Sequence, residues 1–306
     1  MNNLFKISFI NFKALSDRLP RLLRSLAMTI QRFLFPYMTL IILAIISIGP
    51  FLWLLSTALK SPNENIFAYP PILIPQHFTL ENFTGVWKQI PFMGYIINSF
   101  IVSGITVFLN LLLSALAAYP LARMRFKGKN MVFYAVLATI MVPFQVIMIP
   151  IYLMVLKLNL VDSASDFAGF AGLILPFAVN AFGIFLMRQA FLGIPKELEE
   201  AAIIDGCNTY DIWLKIFMPL VKPALATLAI FTFVGAWSEF LWPSIVLTRR
   251  EMYTLPVGIN DLQGVFSANW RYISAGAIIA TIPILVFFLG LQRYFIEGTT
   301  QGAVKE

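Results

Sequence analysis

Six long segments that are almost free of charged side chains constrain this chain more than any other feature of its sequence. A helix needs about 20 mainly apolar residues to cross the hydrocarbon core of a membrane, and each segment is that long. Strands of a membrane barrel would show about ten residues of strict alternation, whereas these segments are continuously apolar. We therefore predict an all-α membrane protein with six transmembrane helices, at residues 33–59, 95–121, 131–156, 167–187, 223–248 and 272–292.

The composition supports a membrane protein and excludes several soluble classes. Charged residues make up 12% of the chain, whereas a soluble domain averages about 25%. With one cysteine and one histidine, the chain can form no intrachain disulfide and offers no metal-ligand cluster. It also lacks the glycine-rich phosphate loop that ends in Gly-Lys-Ser or Gly-Lys-Thr. We therefore expect no catalytic residue, metal or cofactor in this chain.

The lysines and arginines predict the orientation of the spans, because short cytoplasmic loops carry an excess of them. With the N-terminus inside, sixteen of the 22 basic residues fall in inside segments. Both termini are therefore predicted to be cytoplasmic. The net charge of +7 is then a topology signal and not the footprint of a nucleic-acid binder.

Residues 1–32 alternate basic side chains with leucine, isoleucine and phenylalanine, and contain no uninterrupted apolar core of signal-peptide length. This pattern predicts an amphipathic helix that lies on the negatively charged inner leaflet. A cleavable signal that ends near Ala58 is the weaker alternative, because the first span is too long for one.

The inside loop between the fourth and fifth spans is unusually long and acidic, and its residues 195–222 predict two helices in succession. Pro195 suits a first helical turn, and Gly206 suits the position just after a helix. Asn208 predicts the cap of a second helix, which Pro219 and Pro223 would end at the membrane. Three acids favour the first helix N-terminus: Glu197, Glu199 and Glu200.

This loop predicts either an amphipathic hairpin that rests on the bilayer or a docking element for a soluble partner. The acids favour a docking element, because the inner leaflet is itself negative. Ala201 and Ala202 add a smooth face that another protein can approach closely.

The same loop resembles the EAA loop of the permease subunits of bacterial binding-protein-dependent ABC importers. The matching positions are Glu200, Ala201, Ala202, Gly206 and Ile216 to Pro219, with Met218 where the family usually has leucine. Other segments resemble the G-type subunit of maltose permeases within the carbohydrate branch. These are residues 78–83, 98–99, 119–129, 143–152, 237–243 and 298–306.

The resemblance implies a permease domain at residues 33–296 and a cytoplasmic tail at 297–306, in the bacterial inner membrane. It implies uptake of a sugar, oligosaccharide or glycoside that a solute-binding protein outside the cytoplasm delivers. It also implies a second permease of different sequence and two ATPase subunits that use ATP and Mg. In that assembly, which involves the lipid bilayer but no nucleic acid, the residues of the EAA loop would couple ATP hydrolysis to the spans.

Glu239 is the one acid inside a predicted span, and buried ionisable groups in membranes usually face a cavity or a partner. With Trp237 and Trp242 it predicts either part of the solute pathway or a contact with the second permease. Asn98, Asn110, Gln145 and Asn180 are further candidates, although polar groups also bind helices together. Pro143 and Pro150 predict either ordinary kinks or bends around a pathway.

The outer loop at residues 249–271 matches in position a loop that contacts the binding protein in the G-type family. Four residues there suit turns in such a contact: Gly258, Asn260, Asp261 and Gly264. An ordinary connecting loop is the alternative. His77 in the first outer loop is read as a solvated residue.

Two other transport functions stay open. A permease for another solute class, such as glycerol phosphate, shares the EAA loop. A proton-coupled secondary carrier would need paired charges within its spans, and only Glu239 is available.

Overall fold

The computed structural model describes residues 35–161, 166–264 and 269–301. These ranges are helical with connecting loops, and their one β-type pairing is an isolated bridge between Lys60 and Phe78. The amphipathic helix predicted at residues 1–32 lies outside them, as does the end of the predicted tail.

Three helices are continuous and are long and apolar enough to cross a membrane. They are α1 at Phe35–Leu59, α3 at Phe92–Ala122 and α13 at Trp270–Gln301. At 1.5 Å per residue, the 25 residues of α1 extend about 38 Å, which exceeds the hydrocarbon thickness. These helices coincide with the first, second and sixth predicted spans. The ends of α1 and α3 differ from the prediction by at most three residues, whereas α13 continues nine residues past the predicted end at 292.

Three further regions are pairs of helices with a sharp bend between them. The pairs are α4 (Lys129–Ala138) with α5 (Phe144–Lys157), α6 (Asp166–Ile174) with α7 (Ala181–Leu192), and α9 (Thr209–Leu220) with α10 (Lys222–Ser238). The bends measure 101°, 53° and 76°, and the described residues give six spans only if each pair counts as one. The third and fourth spans, predicted as continuous, are therefore broken.

The breaks have local causes. Val142 has an extended backbone because the ring of Pro143 disfavours the helical region in the residue before it. Asn180 is also extended and starts α7 as its N-cap. The predicted fifth span, 223–248, is divided as well. Its first helix ends at Ser238, Glu239 is extended, and α11 follows at Leu241–Val246.

Helix α3 is the central element of the packing, with α7 and α10 along its sides, while α13 lies between α1 and α10. Buried side chains form one cluster around the end of α3 and a second around its beginning. A third surrounds α5, α6 and α11. Helix α1 is apolar all round yet exposed in the single chain, as expected of a helix that faces lipid or another membrane chain.

The loop between α1 and α3 is held by polar contacts around the short helix α2, Glu81–Gln89. Asn82 is buried and donates to the carbonyls of Ala58 and Lys60, both at 2.8 Å. The carboxylate of Glu64 accepts from the backbone N–H groups of Gln76 and His77, at 3.0 and 2.7 Å. His77 itself is exposed, in agreement with its reading as a solvated residue.

Candidate functional site

The predicted helix-turn-helix between the fourth and fifth spans is present. Its first helix, α8, covers Lys196–Ile204 and begins one residue after Pro195. Gly206 follows it with φ +82°, a conformation that glycine adopts without strain. The N–H of Cys207 then donates to the Ala202 carbonyl at 2.9 Å. The prediction that Gly206 ends this helix is confirmed.

The second helix, α9, starts as predicted, with the Asn208 side chain accepting from the Asp211 N–H at 2.9 Å. Its middle part, Ile212–Phe217, has the wider π-helical turn. The helix ends at Leu220, between the two prolines predicted to end it, with Pro219 inside its last turn. The chain bends at Val221, and Pro223 sits in the first turn of α10.

One face of this hairpin packs on the rest of the chain. Ala202 is buried in α8, and Trp213 and Phe217 are buried in α9. They join buried residues of α3 and α7 in one cluster, including Tyr119 and Phe191. The hairpin is therefore fixed to the spans over its inner surface.

The opposite face of the hairpin is open and has a mixed acidic and apolar character. Glu200 and Ala201 are exposed, and the Ile204 side chain is 85% exposed. Other exposed apolar side chains on this face are Leu198, Ile203, Tyr210 and Leu214. We call this set of residues the outer face of the hairpin. Several exposed apolar side chains on one short hairpin are typical of protein–protein contacts.

One residue behind this outer face was not singled out from the sequence. The side chain of Arg123, counted there only as a basic inside residue, is 5% exposed and lies 3.7 Å from the Glu199 carboxylate. A basic residue at the end of a long apolar helix was the available signal, but its acid partner is 76 positions away in the chain.

A cavity of about 180 Å³ lies beside the middle of α3, between the break that precedes α7 and the break at Glu239. The small residues Gly235 and Ala236 of α10 leave space for it, and its polar groups come from different parts of the chain. It is lined by Thr106, Phe177, Asn180, Phe231, Thr232, Gly235, Ala236 and Glu239. We call it the central cavity.

The polar residues of the central cavity also hold the two breaks. The Glu239 carboxylate accepts from the backbone N–H of Trp242 at 3.0 Å, in the first turn of α11. The Asn180 side chain accepts from the Gly183 N–H at 2.6 Å and caps α7. A half-buried acid at an interrupted helix is a common feature of solute and ion sites in transporters.

Asn110, fully buried on α3, fixes the break before α7 from the other side. Its amide donates to the Phe177 carbonyl at 3.2 Å and its oxygen accepts from the Ser114 hydroxyl at 3.4 Å. Gly183 packs here so closely that a Cβ would lie 2.5 Å from the Ser114 oxygen. Of the sequence candidates, the structure thus brings together Asn110, Asn180 and Glu239.

The two candidate tryptophans are not among the residues that line the central cavity. Trp237 is 2% exposed, and its ring nitrogen donates to the Ala280 carbonyl at 3.0 Å. Trp242 is fully buried and donates to the Gly172 carbonyl at 3.2 Å. Their rings pack against phenylalanines, so neither face is open to a sugar in this conformation.

Asn98 and Gln145 also lie apart from the central cavity. The Asn98 amide donates to the carbonyls of Glu251 and Tyr253, at 2.8 and 3.1 Å, and ties the outer loop to α3. Gln145 is exposed in the first turn of α5, just after Pro143.

The outer loop is more folded than predicted. It contains helix α12, Leu255–Asn260, so Gly258 is not a turn residue; it is buried where a Cβ would overlap the Tyr95 ring. Gly264 does turn the chain, with φ +59°. The Asp261 carboxylate lies 2.6 Å from the Arg250 guanidinium, and this hydrogen-bonded pair raises the pKa of Arg250. Asn260 is exposed.

Comparison with known proteins identifies the family. Residues 110–301 match the family described as the inner membrane component of binding-protein-dependent transport systems. The chain belongs to this family. The resemblance of the chain to such permeases is therefore confirmed, and so is the expectation of an inner-membrane component.

Relatives of this permease are named as sugar transporters. It is 37% identical to the arabinooligosaccharide transport permease of Halalkalibacterium halodurans, over 86% of this chain and 93% of the relative. It is 34% identical to a diacetylchitobiose uptake permease of Streptomyces coelicolor, over 88% and 96%.

A solved structure shows the same fold for this permease. It comes from a bacterial ABC transporter that imports the acidic polysaccharide alginate, with a TM-score of 0.74 and 24% identity. The match covers 87% of this chain and 98% of the other.

Among the described residues, no group of three or more histidine, cysteine, aspartate or glutamate side chains could hold a metal ion.

Proposed function

We propose that this permease carries a neutral oligosaccharide or glycoside, powered by ATPase subunits that seat on the outer face of the hairpin. The observation that supports this most is the two-sided character of α8 and α9. Their inner side chains are buried against α3 and α7, while Glu200 and the apolar side chains beside it are open.

The proposed topology has six spans with both termini in the cytoplasm; α4 with α5 and α6 with α7 each form one bent span, and the fifth span is α10 with α11. The distribution of basic residues supports it, because the hairpin lies in an inside segment under that topology. The outer face then meets the cytoplasm, where ATP and Mg are available to the ATPase subunits.

The coupling step requires the hairpin to move as a unit. A ligand shifts an equilibrium only through different affinities for the two states, and ATP does so when it closes a pair of ATPase subunits. Glu200 and Ala201 would seat in the partner. Gly206 holds the turn, and Ile216 and Pro219 connect it to α10. ATP is hydrolysed in the ATPase subunits and not in this chain.

The central cavity is proposed as this chain's part of the solute pathway, completed by a second and different permease subunit. Its lining offers a carboxylate, an amide and two threonine hydroxyls, which suit the hydroxyl groups of a sugar. No lysine or arginine lines it, whereas a phosphate group calls for such cations. This observation favours a neutral glycoside over glycerol phosphate.

On the opposite side, the exposed Asn260 and Gly264 with the Arg250–Asp261 pair are proposed to contact a solute-binding protein. The fold supports this placement, since α12 packs on the beginning of α3 while the hairpin packs on its end.

The proposal is tested by uptake of radiolabelled arabinotriose into proteoliposomes that contain both permeases, the ATPase subunits and the binding protein. We expect uptake that requires ATP and survives a protonophore. Competition by unlabelled diacetylchitobiose and glycerol 3-phosphate defines the solute class. Uptake driven by a proton gradient without ATPase subunits would contradict the proposal.

The topology is tested by cysteine labelling in a Cys207→Ser background, which removes the chain's one native cysteine. We expect a membrane-impermeant maleimide to label Asn260→Cys in intact cells. Asp205→Cys, beside the hairpin turn, should react only after permeabilisation. The reverse pattern would invert the topology.

A further inference from the structure

We propose that Arg123 is the positioning residue that transmits movement of α8 to α3 and α7, so that the hairpin and these spans move as one body. This inference rests on the proposed coupling function and assigns the linkage to one side chain. Arg123 directly follows α3, and its side chain is 5% exposed.

The guanidinium of Arg123 first binds the end of α7. Its Nη2 donates to the Phe191 carbonyl at 2.6 Å and to the Ile194 carbonyl. The last carbonyls of a helix have no partner within it, and a cation there is favourable. Only residues 193–195 separate α7 from α8, so this contact fixes the connection between them.

The same guanidinium then pairs with α8 itself. Its Nη1 lies 3.7 Å from the carboxylate of Glu199, whose side chain is 22% exposed. Glu200, the next residue, is exposed on the outer face. The two neighbouring acids thus have different tasks, one toward the chain's interior and one toward a partner.

A third contact reaches α9. The guanidinium lies 4.9 Å from the centre of the Phe217 ring, which is fully buried. The rings of Tyr119 and Phe191 pack edge-on around the same place. Arginine suits this position because its planar fork can donate to several acceptors and stack on a ring at once, whereas lysine cannot.

Other cations at this end of the molecule make contacts that do not include α8. The Arg188 Nε donates to the Leu121 carbonyl at 3.0 Å, and Lys129 donates to the carbonyls of Ala122 and Met124. These bonds tie α3 to α7 and α4. In the part of the chain that the structure describes, the ion pair between a span and α8 is the one at Arg123.

The experiment measures the distance between two nitroxide labels in the complete complex in nanodiscs, with and without ATP and vanadate. The labels replace Lys196 on α8 and Met93 at the far end of α3, both exposed, in the Cys207→Ser background. In the wild type we expect one narrow distance in both nucleotide states, because the two sites move together.

In Arg123→Met, α8 should follow the ATPase subunits without α3. The population of molecules at the wild-type distance, relative to those at longer or shorter distances, should fall about tenfold. The distance should also become nucleotide-dependent. Glu199→Gln keeps the contacts between Arg123 and the carbonyls and should give a smaller change. It tests the inference even if Arg123→Met does not fold. Arg125→Met removes an exposed arginine two residues away and should match the wild type.

A narrow, nucleotide-independent distance in both Arg123→Met and Glu199→Gln would overturn this inference. The proposed coupling function fails separately, if ATPase subunits do not copurify with the wild-type permease. If they copurify with the wild type and Glu200→Ala takes up less sugar for each ATP hydrolysed, the coupling surface stands whatever Arg123 does.

Discussion

The hairpin and the central cavity lie along the same helix, α3, but they are built in opposite ways. The hairpin rests on closely packed aromatic side chains and a buried guanidinium, and its inner surface has little freedom to rearrange. The cavity lies between helices that are interrupted, with side chains that cap each break. The place proposed to receive force is therefore rigid, and the place proposed to pass solute contains the chain's discontinuities.

The largest effect is expected in the hairpin. Phe217→Ala removes a fully buried ring that contacts Arg123, Tyr119 and Phe191. A buried Phe→Ala change costs about 3–5 kcal/mol, so the purified complex should lose ATPase subunits and unfold at lower temperature. Thermal unfolding and copurification measure both. Wild-type values for this variant would show that the hairpin is not supported from within.

The next effect is expected at the cavity. Gly183→Ala places a methyl group against Ser114 and Asn110, and overpacking of this kind costs about 1–3 kcal/mol. The break before α7 should shift, and oligosaccharide uptake should fall while ATPase subunits stay bound. Gly104→Ala on α3, where a Cβ meets nothing within 4 Å, is the matched control. Equal uptake in the two variants would show that the geometry of this break does not affect transport.

A smaller effect is expected for Gly206→Ala at the hairpin turn. The space around it is open, so the cost comes only from φ +82°, about 1 kcal/mol for a residue with a Cβ. We expect a reduced thermal stability that remains well above that of Phe217→Ala. Hydrogen exchange at the N–H of Cys207, which bonds across the turn, should rise. Unchanged exchange would mean that the backbone conformation at this turn does not affect the stability of the hairpin.

The smallest effect extends the comparison to the exposed loop before α2. Desolvation acts to raise the pKa of Glu64, but hydrogen bonds from the backbone N–H groups of His77 and Gln76 outweigh it and lower this pKa. A lowered pKa in the folded state contributes stability above the unfolded value, and this is lost as pH falls through the folded value. Exchange of the His77 N–H should therefore show an acid-dependent loss of protection, absent in Glu64→Gln.

The sequence predicted the features that depend on local chemistry. Gly206 and Asn208 act through their own backbone and their immediate neighbours, so their roles could be inferred without the fold. The apolar segments likewise marked α1, α3 and α13, because length and hydropathy are sufficient for a long helix.

Features that depend on distant contacts could not be predicted in the same way. Gly258 was interpreted as a turn residue because nothing in the sequence shows that the Tyr95 ring lies against it. Trp237 and Trp242 were candidates for the solute pathway, but their burial depends on helices far along the chain. Pro143 did predict a bend, and the chain breaks beside it at Val142, whereas the break at Glu239 arises from capping, which apolar length does not register.

The central claim is that force from ATP enters this permease at Glu200. Its most direct test is the amount of arabinotriose taken up per ATP hydrolysed by the reconstituted complex, in Glu200→Ala and in the wild type. The account predicts that the variant inserts and folds normally, because Glu200 is exposed, but takes up far less sugar for each ATP hydrolysed. A variant with the wild-type ratio at the wild-type rate would contradict it.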